Sequence, residues 1–438
     1  MSKFSRKLAV AALTAGVILS APASAGKSGS GPLPGGLDTT FDTDGIVIGP
    51  LGDCRDLVIQ ADGRIVAAGG NSLARYNANG SIDASFGSGG SVTTPMIINS
   101  AAMQSDGKLV VAGNLYVSSN LGGASGYAFA LARYNANGSL DSTFGTGGAV
   151  TTRTITYGDQ YLLDIAIQSD GKLVVAGYNQ SGATFSSFAI ARYNTDGTLD
   201  SRFGSNGVVI TDITSNADQA YGVVIQPDGR IIAVGFADDS ATHARDFALV
   251  RYTSSGTLDS TFGSNGIVRT DLFGGYDQAN KVTLQSDGKI VAVGLTLRTN
   301  EDFAVARYNP DGTLDSTFGA GGKFAIDFGV YSDQAQAVAI QADGKIVVAG
   351  AAATRFSTKT ARNFYDFRFA TTRLNSNGTL DTTFGTGGKV ITPVGPTGDL
   401  YADDYGYAAA IQADGKIVVG GGAKNSAGNQ IGLVRYNP

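Results

Sequence analysis

The chain has 438 residues, of which 42% are hydrophobic and only 16% are charged, so it has ample apolar material for a buried core while few charged groups cover the surface. Its formal net charge of −5 at pH 7 argues against nucleic acid and anionic membranes as partners. Cys54 is the single cysteine, which excludes an intrachain disulfide.

The first segment has the pattern of a secretory signal peptide. Residues 1–25 combine positive charges near the start, an apolar run from Leu8 to about Leu19 and a small-residue exit, Ala-Ser-Ala, at positions 23–25. The apolar run is too short to span a membrane as a helix. We therefore expect a secreted protein, periplasmic or extracellular, without membrane insertion. Residues 26–36, rich in Gly and Pro, are predicted to form a flexible leader.

Three short elements recur in fixed order along the rest of the chain, each seven times. The first, Gln-x-Asp-Gly-Lys/Arg, begins at Gln60, Gln104, Gln168, Gln226, Gln285, Gln341 and Gln412. The second, Arg-Tyr-Asn or a near variant, begins at Arg75, Arg133, Arg192, Arg251, Arg307, Arg373 and Arg435. The third, Leu/Ile-Asp-x-x-Phe, begins at Leu37, Ile82, Leu140, Leu199, Leu258, Leu314 and Leu380.

These elements indicate β-hairpins. Short runs rich in Val, Ile, Tyr and Phe flank Asp-Gly or Asn-Gly steps, where glycine accepts the positive φ of a tight turn. Each copy then holds four antiparallel strands, A to D, as in one blade of a propeller. The pattern predicts an all-β fold, a single-domain seven-bladed β-propeller over residues 37–438. The region begins on an orphan third element and ends on an orphan second one, so the N-terminal strand should complete the C-terminal blade and close the ring.

Spacing distinguishes the two ends of this ring. The A–B and C–D hairpins have the same length in every copy, whereas the B–C and D–A loops vary. We call the end with the A–B and C–D turns the constant face and the opposite end the loop face. Scaffolds commonly present function on variable loops. The longest insertions, Leu115 to Tyr127 and Ala352 to Arg368, are predicted to be specificity elements.

The repeats also resemble a known family. The run x-Gln-x-Asp-Gly-Lys-Ile-Val-Val-Ala-Gly, followed by Arg-Tyr-Asn-x-Asp-Gly-Thr-Leu-Asp-x-x-Phe-Gly, is similar to the delta-60 repeat of bacterial exported proteins, over residues 37–438. The first copy departs from the pattern, since Asp42 rather than glycine follows Phe41. The resemblance implies a β-propeller, no defined activity and no catalytic residues.

Most of the repeated polar residues are predicted to be structural. The recurring Arg and Asp of the second and third elements should form one charge network in each copy, because a buried Arg needs a carboxylate partner. The segment Tyr-Asn-x-Asp/Asn-Gly-x-Leu-Asp is similar to a calcium loop, but Arg192 and its equivalents occupy the first ligand position. His243 and Glu301 are the only histidine and the only glutamate, too few for zinc or for a visible acid–base pair. We predict no catalytic residues, no metal and no cofactor.

One group of polar residues remains a candidate ligand site. Asp-Gln or Asp-Asp pairs stand where strand A begins, and if strand A is innermost they surround the mouth of the central channel on the loop face. There they could bind a cation, a sugar or a peptide amine; alternatively, each side chain caps its own loop. The candidate residues are Asp159, Gln160, Asp218, Gln219, Asp277, Gln278, Asp333, Gln334, Asp403 and Asp404.

The sequence thus predicts an exported binding or interaction module, expected to be a monomer, with a protein or carbohydrate ligand that the sequence does not identify. One alternative is a propeller hydrolase or lyase that uses the aspartates of the channel mouth. The other is a structural component of the cell surface.

Overall fold

The computed structural model describes residues 32–118, 125–154, 158–181, 185–238, 244–329, 331–357, 364–395, 403–425 and 428–438. Every secondary-structure element in these ranges is a β-strand. The described residues contain no helix long and apolar enough to cross a membrane. The predicted signal peptide and His243 lie outside the described residues. Leu33–Pro438 form one compact unit.

The first strands are β1 (Ile46–Leu51), β2 (Asp56–Ile59), β3 (Ile65–Tyr76), β4 (Ser91–Met103), β5 (Leu109–Val117), β6 (Gly126–Tyr134), β7 (Ala149–Thr152), β8 (Asp159–Ile167) and β9 (Leu173–Gln180). They are followed by β10 (Ser186–Tyr193), β11 (Val208–Thr211), β12 (Asp218–Ile225), β13 (Ile231–Asp238), β14 (Arg245–Tyr252), β15 (Ile267–Thr270), β16 (Asp277–Leu284), β17 (Ile290–Leu297) and β18 (Glu301–Tyr308). The last are β19 (Lys323–Ile326), β20 (Asp333–Ile340), β21 (Ile346–Ser357), β22 (Phe364–Leu374), β23 (Lys389–Thr392), β24 (Asp404–Ile411), β25 (Ile417–Asn425) and β26 (Gly428–Tyr436).

The prediction of seven blades is wrong, because these strands form six hydrogen-bonded sheets. Five sheets have four strands: β8 to β11, β12 to β15, β16 to β19, β20 to β23, and β24 to β26 with β1. The sixth contains all of β2 to β7. Its extra strands have a local cause: the loops predicted in the first two copies are so short that β3 and β4 each run on without a break. β4 pairs with β3 at one end and with β5 at the other, which joins the two predicted blades.

The N-terminal strand closes the ring, as the orphan elements predicted. β1 pairs antiparallel with β26, with Ile46 opposite Val434. Within the predicted leader, the described residues 32–36 continue this contact, since the Gly35 amide donates to the Asn437 carbonyl at 3.0 Å. The two ends of the described region are therefore held together by backbone hydrogen bonds.

The predicted charge network is confirmed in all seven copies. In a representative copy, Arg307 Nε lies 2.8 Å from Asp315 Oδ2, its guanidinium stacks 4.5 Å from the centre of the Phe318 ring, and Nη1 donates to the carbonyl of Ser376 in the next copy. The equivalent pairs are Arg75–Asp83, Arg133–Asp141, Arg192–Asp200, Arg251–Asp259, Arg373–Asp381 and Arg435–Asp38. Each unit holds a C–D turn in place on the constant face.

The ion pairs also perturb the carboxylates that they contain. Burial alone would raise the pKa of Asp38, but hydrogen bonds from Thr40 and the charges of Lys416 and Arg435 hold this pKa at about 2. The Asp38 carboxylate is therefore ionised at every physiological pH, as a permanent partner for the guanidinium requires.

The core lies between successive sheets. Phe247 and Val234 of one sheet, for example, pack against Val282 and Ala292 of the next. Contacts between strands run from β2 to β4, β8, β12, β16, β20, β24 and back to β2. These seven strands therefore surround the central axis, and the six-stranded sheet supplies two of them.

Candidate functional site

Four of the predicted site residues are the buried first residues of inner strands. Asp218, Asp277, Asp333 and Asp404 have no solvent-exposed surface. Oδ2 of each accepts a backbone N–H from the connection that precedes its own strand, at 2.6–2.9 Å; the donors are Ile213, Leu272, Phe328 and Val394. These carboxylates cap the D–A connections.

β8 differs from the other inner strands by one residue of register. Gln160 lies two residues before Leu162, which pairs with Gly177, just as Asp218 lies two before the partner of Gly235. Gln160 is the buried cap of this copy, and its Oε1 accepts the Thr154 N–H at 2.6 Å. Asp159 lies one position further out and accepts the Tyr127 N–H at 2.8 Å. Asp403 precedes Asp404 in the same way.

The glutamines that follow the caps are half-buried and bonded to neighbours. Gln219 Nε2 donates to the Ser186 hydroxyl at 3.3 Å. Gln278 Nε2 donates to Asn280 at 2.8 Å, and Gln334 Nε2 donates to Glu301 at 2.6 Å. The structure therefore does not bring the ten predicted residues together around one ligand position.

Burial changes the acidity of two caps in particular. Burial, with a further contribution from nearby aspartates, raises the pKa of Asp277 to about 6 and that of Asp333 to about 7. For Asp277 these neighbours are Asp271 and Asp246. Two connections on the loop face thus concentrate negative charge around a buried carboxyl group.

A polar network crosses the central axis, and the sequence did not reveal it. Lys281 Nζ lies 2.8 Å from Asp164 Oδ1, and the Ser100 hydroxyl bonds to Asp164 at 2.9 Å and to Asp56 at 2.6 Å. These residues belong to β16, β8, β4 and β2. Burial alone would lower the pKa of Lys281, but the charges of Asp164 and Asp56 raise it. Because each charged group has a partner, this network is a link between inner strands.

A small pocket opens on the loop face where the ring closes. Its volume is about 150 Å³, and it is lined by Asp53, Asp403, Tyr405, Tyr407, Gly422, Lys424 and Asn429. The rings of Tyr405 and Tyr407 stack with an interplanar angle of 9° and centres 5.8 Å apart. The Arg55 guanidinium lies 4.0 Å from the centre of the Tyr407 ring.

Both carboxylates of this pocket face a cation. Asp53 Oδ2 lies 2.8 Å from Arg55 Nε, and Asp403 Oδ2 lies 3.9 Å from Lys424 Nζ. Burial raises the pKa of both Asp53 and Asp403. The pocket wall therefore has hydrogen-bonding groups of both kinds but no excess charge.

One of the two predicted specificity insertions supports this pocket. The described parts of the insertion Ala352 to Arg368, residues 352–357 and 364–368, lengthen the hairpin of β21 and β22. Its Phe367 ring lies 4.6 Å from the Tyr405 ring, centre to centre. The described parts of the other insertion, Leu115 to Tyr127, extend β5 and β6, and its Tyr127 ring lies 5.6 Å from that of Tyr161. The middle of each insertion, residues 358–363 and 119–124, lies outside the described residues.

Comparison with known proteins identifies the repeats. A model of the family described as "Domain of unknown function (DUF5122) beta-propeller" matches residues 60–86, 104–144, 168–203, 226–262, 285–318, 341–384 and 412–438, more than half of the chain. This match supports the predicted class of propeller repeat, although it does not distinguish the delta-60 repeat. Among curated proteins, no sequence matches the chain.

Several solved structures are similar only at a distance. The extracellular domain of BT4673 from B. thetaiotaomicron is 10% identical (TM-score 0.45) over 89% of this chain and 39% of its own, so this chain spans well under half of that protein. A protein of unknown function from Dyadobacter fermentans is 13% identical (TM-score 0.43), over 89% and 98% of the two chains. The GH93 alpha-L-arabinofuranosidase of Fusarium graminearum is 12% identical (TM-score 0.45), over 78% and 93%. None of these likenesses bears on activity.

Proposed function

This chain belongs to the DUF5122 β-propeller family, and we propose that it is an exported binding module that holds a neutral sugar residue in the pocket beside Tyr405 and Tyr407. The observation that carries this proposal is a pocket whose lining combines two stacked tyrosine rings with hydrogen-bonding groups, without excess charge. Export rests on the signal-peptide pattern of residues 1–25.

The chemistry of the pocket matches a polyhydroxylated ring. The apolar C–H groups of a sugar can pack against the tyrosine side chains that line the pocket. Its hydroxyl groups can donate to Asp53 and accept from Lys424 or Asn429, all of which line the pocket. Because each carboxylate has a cation within 4 Å, a charged ligand gains little here.

The size of the pocket limits the ligand. At about 150 Å³ it is smaller than the roughly 300–1,000 Å³ of sites for drug-sized molecules, so it fits one ring rather than a whole oligosaccharide. The remaining rings of a longer glycan would extend over the loop face, beside the hairpin that carries Phe367. This hairpin would then act on specificity through Tyr405, against which Phe367 packs.

No specific observation favours the alternative that the protein is a hydrolase. Four of its candidate aspartates, Asp218, Asp277, Asp333 and Asp404, are fully buried and bonded to backbone amides. Groups held in this way are caps rather than groups that reach a substrate.

The proposal is tested by titrating the full chain with a panel of neutral sugars, namely glucose, galactose, xylose, arabinose and their β-linked and α-linked oligomers, with saturation-transfer NMR as the readout. We expect at least one sugar to bind the wild type, and the Tyr407→Ala variant to lose at least ten-fold in affinity. The matched control is Tyr221→Ala, because Tyr221 occupies the same bulge position in β12 as Tyr407 does in β24.

The control variant should bind like the wild type. Absence of binding by every sugar of the panel would reject the proposal, and so would equal losses in the two variants, since the pocket at the ring closure would then have no special role.

A further inference from the structure

We propose that the loop face contains two sites for a hard divalent cation, each built from three aspartates and each joining two successive sheets. The first site consists of Asp246, Asp271 and Asp277, and the second of Asp302, Asp327 and Asp333. Neither site shares a residue with the proposed sugar pocket.

The three carboxylates of each site converge. One carboxylate oxygen from each of Asp246, Asp271 and Asp277 lies within 4.8 Å of the other two, and the same holds for the second trio. Asp246 belongs to β14, Asp271 follows β15, and Asp277 begins β16 of the next sheet. An ion held by all three would therefore tie one sheet to its successor.

A second observation points to a missing ligand. Asp277 and Asp333 are completely buried, and no hydrogen bond of normal geometry from any described residue reaches Oδ1 of either, although the Thr296 hydroxyl lies near the Asp277 carboxyl group and the Ala353 amide near that of Asp333. A buried oxygen without a partner destabilises the fold, and more so if it is charged. A cation held between the three carboxylates would satisfy this oxygen.

The charge balance of the first site fits a divalent ion. Arg269 pairs with Asp246 at 2.8 Å, so among the described residues the three carboxylates of this site outnumber the guanidinium that pairs with them. Lys323 also lies nearby, and its Nζ binds the main-chain carbonyls of Asp271 and Leu272 instead of a carboxylate.

The second site has the same arrangement. Arg298 pairs with Asp302 at 2.7 Å, and Lys389 Nζ binds the main-chain carbonyl of Asp327. Among the described residues, two successive connections therefore share three acids, a guanidinium paired with the acid of strand C, and a buried carboxylate oxygen without a hydrogen bond of normal geometry.

The junction between the sheet of β20 to β23 and the sheet that begins with β24 shows what happens when the protein itself supplies the cation. There Arg368 stands at the position of Asp246 and Asp302, one residue before the Phe that pairs with the end of strand D. Its Nη1 lies 2.9 Å from Oδ2 of Asp404, the buried cap of that copy. A guanidinium thus takes the place that we assign to the ion.

In the copy that contains Asp218, hydrogen bonds within the protein satisfy both oxygens of this carboxylate. Ser187 replaces the acid of strand C there, and Asp212 is the equivalent of Asp271. Thr214 N donates to Asp218 Oδ2 and Thr214 Oγ1 to Oδ1, both at 2.8 Å, so neither oxygen lacks a partner. Of Asp218, Asp277, Asp333 and Asp404, the two with an unpartnered oxygen, Asp277 and Asp333, are thus the two that lie beside two further aspartates.

The ligand atoms define the class of ion. All three are carboxylate oxygens, which Ca²⁺ and Mg²⁺ prefer, whereas Zn²⁺ prefers His and Cys. Ca²⁺ tolerates irregular geometry and fits ligands supplied by separate strands better than Mg²⁺ does.

The test is calorimetric titration of the full chain with CaCl₂ after treatment with EDTA, and with MgCl₂ in a second arm. The variants are Asp271→Asn, Asp327→Asn and the double variant, because these two ligands are exposed and their replacement should leave the fold intact. The matched control is Asp212→Asn, an exposed aspartate at the same position in a copy that lacks the third acid.

We expect two ions per wild-type chain, one in each single variant, none in the double variant and two in the control, with Ca²⁺ bound more tightly than Mg²⁺. The proposal is overturned if the wild type binds neither ion, if the double variant still binds two, or if Asp212→Asn loses as many ions as Asp271→Asn. Sugar binding should be retained in the double variant, so the two proposals can fail separately.

Discussion

The constant face and the loop face of the ring use polar chemistry differently. On the constant face, one Arg–Asp–Phe unit is repeated in every copy, and each Arg pairs with its Asp at 2.7–2.9 Å. On the loop face, the residue before the Phe of strand C depends on the copy, as Ser187, Asp246, Asp302 and Arg368 show. Along the inner strands, one equivalent position likewise varies among the copies: Asp56, Ser100, Asp164, Gly222, Lys281, Ala337 and Ala408. In this protein, chemistry found in all copies holds the ring together, and chemistry confined to one or two copies marks the places to search for function.

The largest expected loss of stability follows from breaking one constant-face unit. Arg307→Ala leaves the buried Asp315 carboxylate without its guanidinium and should lower the free energy of unfolding by about 3–5 kcal/mol. The control is Lys289→Met, which removes a partly exposed lysine 3.0 Å from the same carboxylate and should cost less than about 1 kcal/mol. Guanidinium denaturation at neutral pH measures both. Equal costs would show that the buried guanidinium has no special role.

Breaking the network at the central axis should lower the free energy of unfolding by a smaller amount. Lys281→Met removes one partner of Asp164, but Ser100 and the Val223 amide still bond to that carboxylate. The cost should be about 2 kcal/mol, in the range for a hydrogen bond to a charged group. The same denaturation experiment measures it, and Lys323→Met, which alters only bonds to main-chain carbonyls, is the control. A loss as large as that of Arg307→Ala would contradict the distinction between shared and copy-specific chemistry.

Much of the fold could be predicted because the same sequence pattern, which is weak evidence for a hairpin when it occurs once, recurs seven times. Seven recurrences of one hairpin signature indicated the strands, and the orphan elements indicated the pairing of β1 with β26. The number of sheets was predicted wrongly, because a repeat count does not show whether a short loop breaks a strand. In β3 the segment Gly69 to Asn71 continues the strand, and in β4 no turn separates Ser91 from Met103.

The sites were harder to predict because their residues are distant in sequence. The pocket joins Asp53 of the first copy to Asp403 and Lys424 of the last, and only ring closure brings them together. The acid trios combine residues of two sheets, so the pairs quoted from the sequence contained just one ligand of each. Alignment of the copies against each other, with attention to acids present in only two of them, would have singled out Asp246 and Asp302.

The most direct test of the contrast between the two faces is amide hydrogen exchange of the full chain with and without millimolar Ca²⁺. We expect slower exchange in the connections that lead into β16 and β20, where the two sites lie, and unchanged exchange in the constant-face turns that follow the same strands. Protection spread equally over both faces, or confined to the constant face, would contradict it.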